Sequence, residues 1–148
     1  MRACFLDLDG VLAPFSSFIR SRAQALDGRL VRRVARFVER HDLTVVLASD
    51  WRHEVGVGAT VKLLARAGWP QAPRRIQFAT PVLDQPRGVE IAAWLSEVDD
   101  VEAFVILDDA QDMAPVADRH VKTDPRVGLQ PADVRLAAAV LRRQRKRL

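Results

Sequence analysis

The chain has little sulfur and little histidine. Cys4 is the one cysteine among 148 residues, which excludes an internal disulfide and any multi-cysteine zinc site. Cys4 itself reads as a strand residue without chemistry. The histidines, His41, His53 and His120, are scattered and lack metal-ligand spacing. No apolar run approaches the ~18 residues of a membrane span, so no membrane partner is expected. Met1-Arg2-Ala3-Cys4 enters an apolar stretch without the cleavage pattern of a signal peptide. Repeats, low-complexity tracts and linkers are missing too. With 49% apolar and 28% charged residues, the expectation is a cytoplasmic, globular, single domain over 1–148. Lysine is scarce, only Lys62, Lys122 and Lys146, so arginine carries most of the basic charge behind a net +4. Much of the excess sits in Arg142-Arg143-Gln144-Arg145-Lys146-Arg147. This end of a helix expected over 131–148 is either a nucleic-acid contact or a solvated terminus favoured by the helix dipole.

What is present alternates between two periodicities. Residues 2–8, 43–48, 75–78, 103–107 and 119–122 read as strands, and 30–41, 59–67, 89–95 and 131–143 as helices. Leu43–Ala48 and Ala103–Leu107 are continuous apolar runs, as expected of strands covered on both faces. The alternation predicts an α/β fold: a three-layer α/β/α sandwich around a central five-stranded parallel sheet. Ligands bind such sheets beyond the C-terminal strand ends. The irregular stretch 10–28 has the length of a short flap, and Phe15 and Phe18 in it are candidates for touching a substrate.

The chemistry concentrates at those strand ends. Asp7 and Asp9 follow the first strand and, two apart, would share one side of it. Paired carboxylates raise each other's pKa unless a cation sits with them. Ser49-Asp50-Trp51-Arg52 follows the second strand, Arg87-Gly88 opens a helix, and Asp108 and Asp109, with Asp112 shortly after, follow the fourth strand. Several carboxylates with few histidines suit Mg²⁺. A serine hydroxyl and arginines suit a phosphoryl group whose charge is redistributing. One carboxylate can be the nucleophile and another the acid and base. Trp51, Trp69 and Trp94 read as packing residues.

Asp7-Leu8-Asp9-Gly10-Val11, Ser49 at a strand end and the Asp108/Asp109/Asp112 group resemble the motifs of the haloacid dehalogenase (HAD) superfamily, which has a Rossmann-like fold. The resemblance implies Asp7 as nucleophile, Asp9 as acid/base and Ser49 as a phosphoryl hydrogen-bond donor. It implies an Mg²⁺ site from Asp7, Asp9 and Asp108, with Asp109 or Asp112 assisting through water. The chain departs from the pattern where the family has a lysine; Arg87 is the best-placed residue, and an arginine offers a planar fork in place of a point charge. Ala48-Ser49-Asp50-Trp51-Arg52, Arg87 through Leu95, and Val121-Lys122-Thr123-Asp124-Pro125 with Gly128-Leu129 resemble more closely the HAD domain of Swiss Army Knife RNA-repair proteins and their small relatives. That likeness implies a phosphatase, with nucleic-acid ends among its candidate substrates. Arg52, three residues after Ser49, also resembles a phosphate-binding arginine in the phosphatase half of polynucleotide kinase-phosphatases, and Arg52, Asp50 and Gly10 are the expected substrate-binding residues. Neither residues 10–28 nor 79–102 hold room for the family's usual cap domain. The open site then suits a bulky substrate, such as an RNA or DNA 3′-phosphate, before a nucleotide or a phosphoprotein, in a monomer or weak homodimer.

Two other readings compete. A catalytically silent domain binding nucleic acid or a protein finds support in the arginine at position 87. A phosphoaccepting receiver domain needs an aspartate ending the third strand, and Phe78-Ala79-Thr80 supplies none.

Overall fold

The computed structural model describes residues 1–15 and 21–145. Phe18 and the basic residues after 145 lie outside them.

The apolar run after Met1 forms β1 (Arg2–Leu6), the middle strand of the sheet. Ala3, Cys4, Phe5 and Leu6 are all fully buried, which is why the run is continuous and not alternating. β2 (Thr44–Leu47) and β4 (Ala103–Asp108) flank it, β3 (Ile76–Ala79) and β5 (His120–Lys122) form the edges, and every pairing is parallel. The expected five-stranded sheet is therefore present, in the order β3-β2-β1-β4-β5.

Among the described residues six α-helices accompany it: α1 (Arg22–Ala25), α2 (Gly28–His41), α3 (Val57–Ala67), α4 (Ala72–Arg75), α5 (Arg87–Ser96) and α6 (Pro131–Arg145). Cys4 and Leu6 point into a core with Val34 of α2, Leu64 of α3 and Leu141 of α6. Ala3 and Phe5 point the other way, toward Ile91 and Trp94 of α5. The Phe5 and Trp94 rings meet edge to face at 5.4 Å. The layers are thus α/β/α, with α5 alone holding one face among these helices. Each large side chain buried this way contributes roughly 1.5–3 kcal/mol.

Local signals set the helix ends. Asp27 caps α2 by accepting from the Arg29 amide at 2.9 Å, worth about 1 kcal/mol, and Asp42 ends it in the left-handed region. Gly68, at φ +134°, ends α3. Three short elements depart from the sequence reading. The four-residue helices α1 and α4 are too short to show a period. A π-helical turn, Arg52–Gly56, leads into α3, so helical structure follows Ser49 almost at once. No inserted domain separates β1 from β2, or β3 from β4, among the described residues. No helix among them is long and apolar enough to cross a membrane.

The register delivers the site. Leu6 pairs with Leu47 on one side and Leu107 on the other. The ladder runs one residue further, through the Asp7 amide to Leu107 O at 3.0 Å and the Ala48 amide to Leu6 O at 2.9 Å. Asp7, Ser49 and Asp108 consequently emerge at one edge.

Candidate active site

Asp7 is the first residue beyond β1 and is 5% exposed. Its Oδ1 accepts from the Leu8 amide at 2.9 Å. Asp108 closes β4, is 1% exposed, and its Oδ1 accepts from the Ala110 amide at 2.9 Å. Asp109 follows, half-buried. One oxygen from each of Asp7, Asp108 and Asp109 lies within 4.8 Å of the others.

Among the described residues, Arg87 is the cation paired with this group. Arg87, the first residue of α5, places Nη1 2.8 Å from Asp108 Oδ2 and 3.3 Å from Asp7 Oδ1, and Nη2 3.4 Å from Asp50 Oδ1. Burial pushes the Asp7 carboxyl well above the usual carboxylate range; the Asp108 charge adds to the push, and Arg87 opposes it without cancelling it. Burial and Asp108 likewise raise Asp109. Burial works against the Arg87 charge, but Asp7, Asp108 and Asp50 outweigh it and raise the guanidinium's pKa. The group carries more negative charge than its one arginine balances.

That donor set fits a hard divalent cation. All three donors are carboxylate oxygens, and two of the residues are buried. Ligands at 2.0–2.1 Å around an octahedral ion stand about 2.9 Å apart when adjacent and about 4.1 Å when opposite, so a 4.8 Å group needs only small rotations to close.

Two glycines let the parts approach. At Gly10, φ is +80° and a Cβ would stand 2.3 Å from Asp109 Oδ2, so only glycine fits. Its carbonyl accepts from Thr123 Oγ1 at 2.8 Å. At Gly88 a Cβ would meet Ala114 O at 2.4 Å, so α5 can begin directly under the loop after β4.

The remaining expected residues divide. Ser49 is fully buried at the edge, its Oγ accepting from the Trp51 amide at 3.2 Å, and its hydroxyl hydrogen is left to donate. Asp50 is exposed beside Arg87. Asp9 stands apart from the three-carboxylate group, its Oδ1 accepting from Trp51 Nε1 at 3.1 Å. Asp112 is exposed and accepts from the Ala114 amide at 3.0 Å; it too lies outside the group.

Arg52 corrects an expectation. Its side chain is 3% exposed and every nitrogen is engaged by the protein. Nε donates to Thr80 O, Nη1 to Ser49 O, and Nη2 to Pro81 O and to Glu90 Oε1 at 2.9 Å. Four of its five N–H groups are taken and the side chain is buried; it holds the Ser49 turn against the segment after β3. Glu90, whose Oε2 also accepts from the Leu83 amide at 2.8 Å, was missed by sequence reasoning. The available signal was a carboxylate beside Ile91 on the apolar side of a helix, three residues after Arg87. Thr123 and the Trp51 indole N–H were missed as well, because both act through contacts distant in the chain. His120, expected to have no chemistry, donates from Nε2 to the Asp108 carbonyl at 2.9 Å and so supports the strand end.

Searches among curated proteins and among solved structures return no match. A family model for the HAD domain in Swiss Army Knife RNA repair proteins matches residues 3–134, which takes in every site residue described above and all of the sheet but Arg2. The chain belongs to that family of HAD domains.

Proposed function

We propose that this protein hydrolyses a phosphomonoester with Mg²⁺, carrying the phosphoryl group on Asp7. The observation behind the proposal is the surplus of buried carboxylate at the end of β1 and β4: Asp7, Asp108 and Asp109 against Arg87 alone. Family membership supports hydrolase chemistry at this edge.

Asp7, Asp108 and Asp109 would hold the ion, which when bound would offset the repulsion between Asp7 and an incoming phosphoryl group. An Asp7 oxygen attacks phosphorus, and the bond from phosphorus to the leaving oxygen breaks. The leaving oxygen takes the electron pair and then a proton from Asp9. Trp51 Nε1 engages one Asp9 oxygen, leaving the other to carry that proton. Asp9, now a carboxylate, takes a proton from water as the water oxygen attacks phosphorus. The Asp7–phosphorus bond breaks, phosphate leaves, and both carboxyls return to their starting forms. Arg87, 3.3 Å from Asp7, orients the nucleophile and adds positive charge beside the equatorial oxygens. The Ser49 hydroxyl donates to one of them.

The substrate class we favour is a polynucleotide 3′-phosphate, ahead of mononucleotides and phosphoproteins. The lack of an inserted domain among the described residues leaves the edge open to a large molecule. A second reading, a silent domain that binds nucleic acid or protein, draws on Arg87: a guanidinium 2.8 Å from Asp108 and 3.3 Å from Asp7 neutralises part of the cluster without a metal. A phosphate-release panel with and without Mg²⁺ separates these readings, using a 3′-phosphorylated oligonucleotide, nucleotides, sugar phosphates and a phosphopeptide. Mg²⁺-dependent release, fastest from the oligonucleotide, is expected. Faster release from the small esters overturns the substrate class alone, and no release from any ester overturns the chemistry.

A further inference from the structure

Several arginines here are matched by carboxylates: Arg22 by Glu54, Arg75 by Glu39 and Asp42, Arg126 by Asp124. Five that are not gather in one place. A groove of about 730 Å³ runs between α2 and α6, lined by Arg33, Arg36 and Arg40 from one helix and Arg135 and Arg142 from the other, with no carboxylate in its lining. None of the five has an ion-pair partner among the described residues. Arg33 is part-buried and donates to the Leu129 carbonyl at 2.7 Å, while Arg36, Arg40, Arg135 and Arg142 are exposed.

The spacing is regular. Arg33 and Arg40 are seven residues apart on α2, and Arg135 and Arg142 seven apart on α6. At 1.5 Å per residue each row is about 10 Å long. Both helices turn back from the catalytic edge, so the rows lead toward the opposite edge, where Arg2 Nη1 donates to His41 O and Gln144 bonds the Phe104 backbone. Two facing rows of unmatched guanidinium groups concentrate positive potential along a line. A line suits a ligand with charge at regular intervals, and a row of this length spans about three phosphates of a nucleic-acid strand. Guanidinium groups also match phosphate oxygens in geometry.

We propose that the α2–α6 groove is a binding site for a nucleic-acid backbone, separate from the catalytic edge. The site stands whether or not the edge turns over a phosphoester.

The test uses the full chain and a fluorescein-labelled 12-nucleotide single-stranded RNA ending in a 3′-hydroxyl, which offers the catalytic edge no 3′-phosphomonoester. Four exposed arginines give a slope of log K against log salt of about −2.8, at ~0.7 per contact. In Arg36→Ala/Arg40→Ala the slope falls to about −1.4 and affinity at 0.1 M salt drops about 25-fold. Both replaced side chains are exposed, and an unchanged melting temperature establishes that the variant folds. Its turnover of a small aryl phosphate stays at the parent value. A DNA arm of the same sequence shows which sugar the groove prefers. Equal slopes for parent and variant overturn the site, and equal binding of an acidic peptide of matched charge overturns its assignment to nucleic acid. Asp7→Asn is expected to bind the RNA undiminished, so loss of turnover and loss of binding report on different surfaces.

Discussion

Two arginines at the same edge meet carboxylates in opposite ways. Arg52 faces one buried carboxylate, Glu90, with side chains 3% and 7% exposed and four of its N–H groups hydrogen-bonded, and exposed Asp50 stands 3.8 Å off. Arg87 faces Asp7 and Asp108, with Asp109 alongside and Asp50 at the rim. Asp7 and Asp108 are as sheltered from water as Arg52 and Glu90, so burial of the inner carboxylates does not distinguish the clusters. Balance does. The Arg52 cluster is closed, and its worth lies in what it ties together. The Arg87 cluster is open, with a surplus of carboxylate that a proton or a bound cation would settle.

The largest expected effect tests the open side. Asp7→Asn should lower kcat on an aryl phosphate by about 10⁴-fold or more. It should also raise the melting temperature of the metal-free protein, because a strained carboxylate beside Asp108 is gone. A lower melting temperature would break the comparison even if activity vanished. Next comes the closed side. Glu90→Gln leaves a buried guanidinium without its counter-charge and should cost about 3–5 kcal/mol in urea unfolding; a loss below about 1 kcal/mol would make the two clusters alike. Third, Mg²⁺ at a hundred times its dissociation constant should stabilise the parent by about 2.7 kcal/mol. That gain should disappear in Asp108→Asn and survive a lysine at position 87, so calorimetry of Arg87→Lys separates the metal site from its neighbouring charge.

The smallest effect lies at the far edge of the sheet. Arg75, with Arg74 nearby, holds the Glu39 carboxyl below its ordinary value of 4.5. A group lowered on folding contributes stability that is complete above the unfolded value and is lost as pH falls through the folded one. Glu39→Gln should therefore lower the melting temperature slightly at pH 7, less so in 0.5 M salt, and not at all once the pH is well below 4.5. A loss that persists in acid would assign Glu39 a packing role in place of an electrostatic one.

How far the sequence carried can be read from the same residues. β1, β2 and β4 were legible because strands buried on both faces must be apolar throughout. Asp7, Asp108 and Arg87 were legible because parallel topology sends every strand end to one edge. Arg52 was misread, since a phosphate-binding arginine and a buried tether differ only in their partner, and Glu90 lies 38 residues further along the chain. Asp9, apart from the other carboxylates, accepts from the Trp51 indole, a contact across 42 residues that no two-residue spacing encodes. Helices α1 and α4, at four residues each, hold too little sequence to declare themselves.

Gly10 sets a clearance. With Asp109 Oδ2 only 2.3 Å from where a Cβ would be, an alanine would have to push that carboxylate outward by about 1 Å to reach ordinary contact. The bare hydrogen at position 10 thus sets how closely the turn after β1 can nest against the start of the loop after β4, and with it how near Asp109 can stand to Asp7.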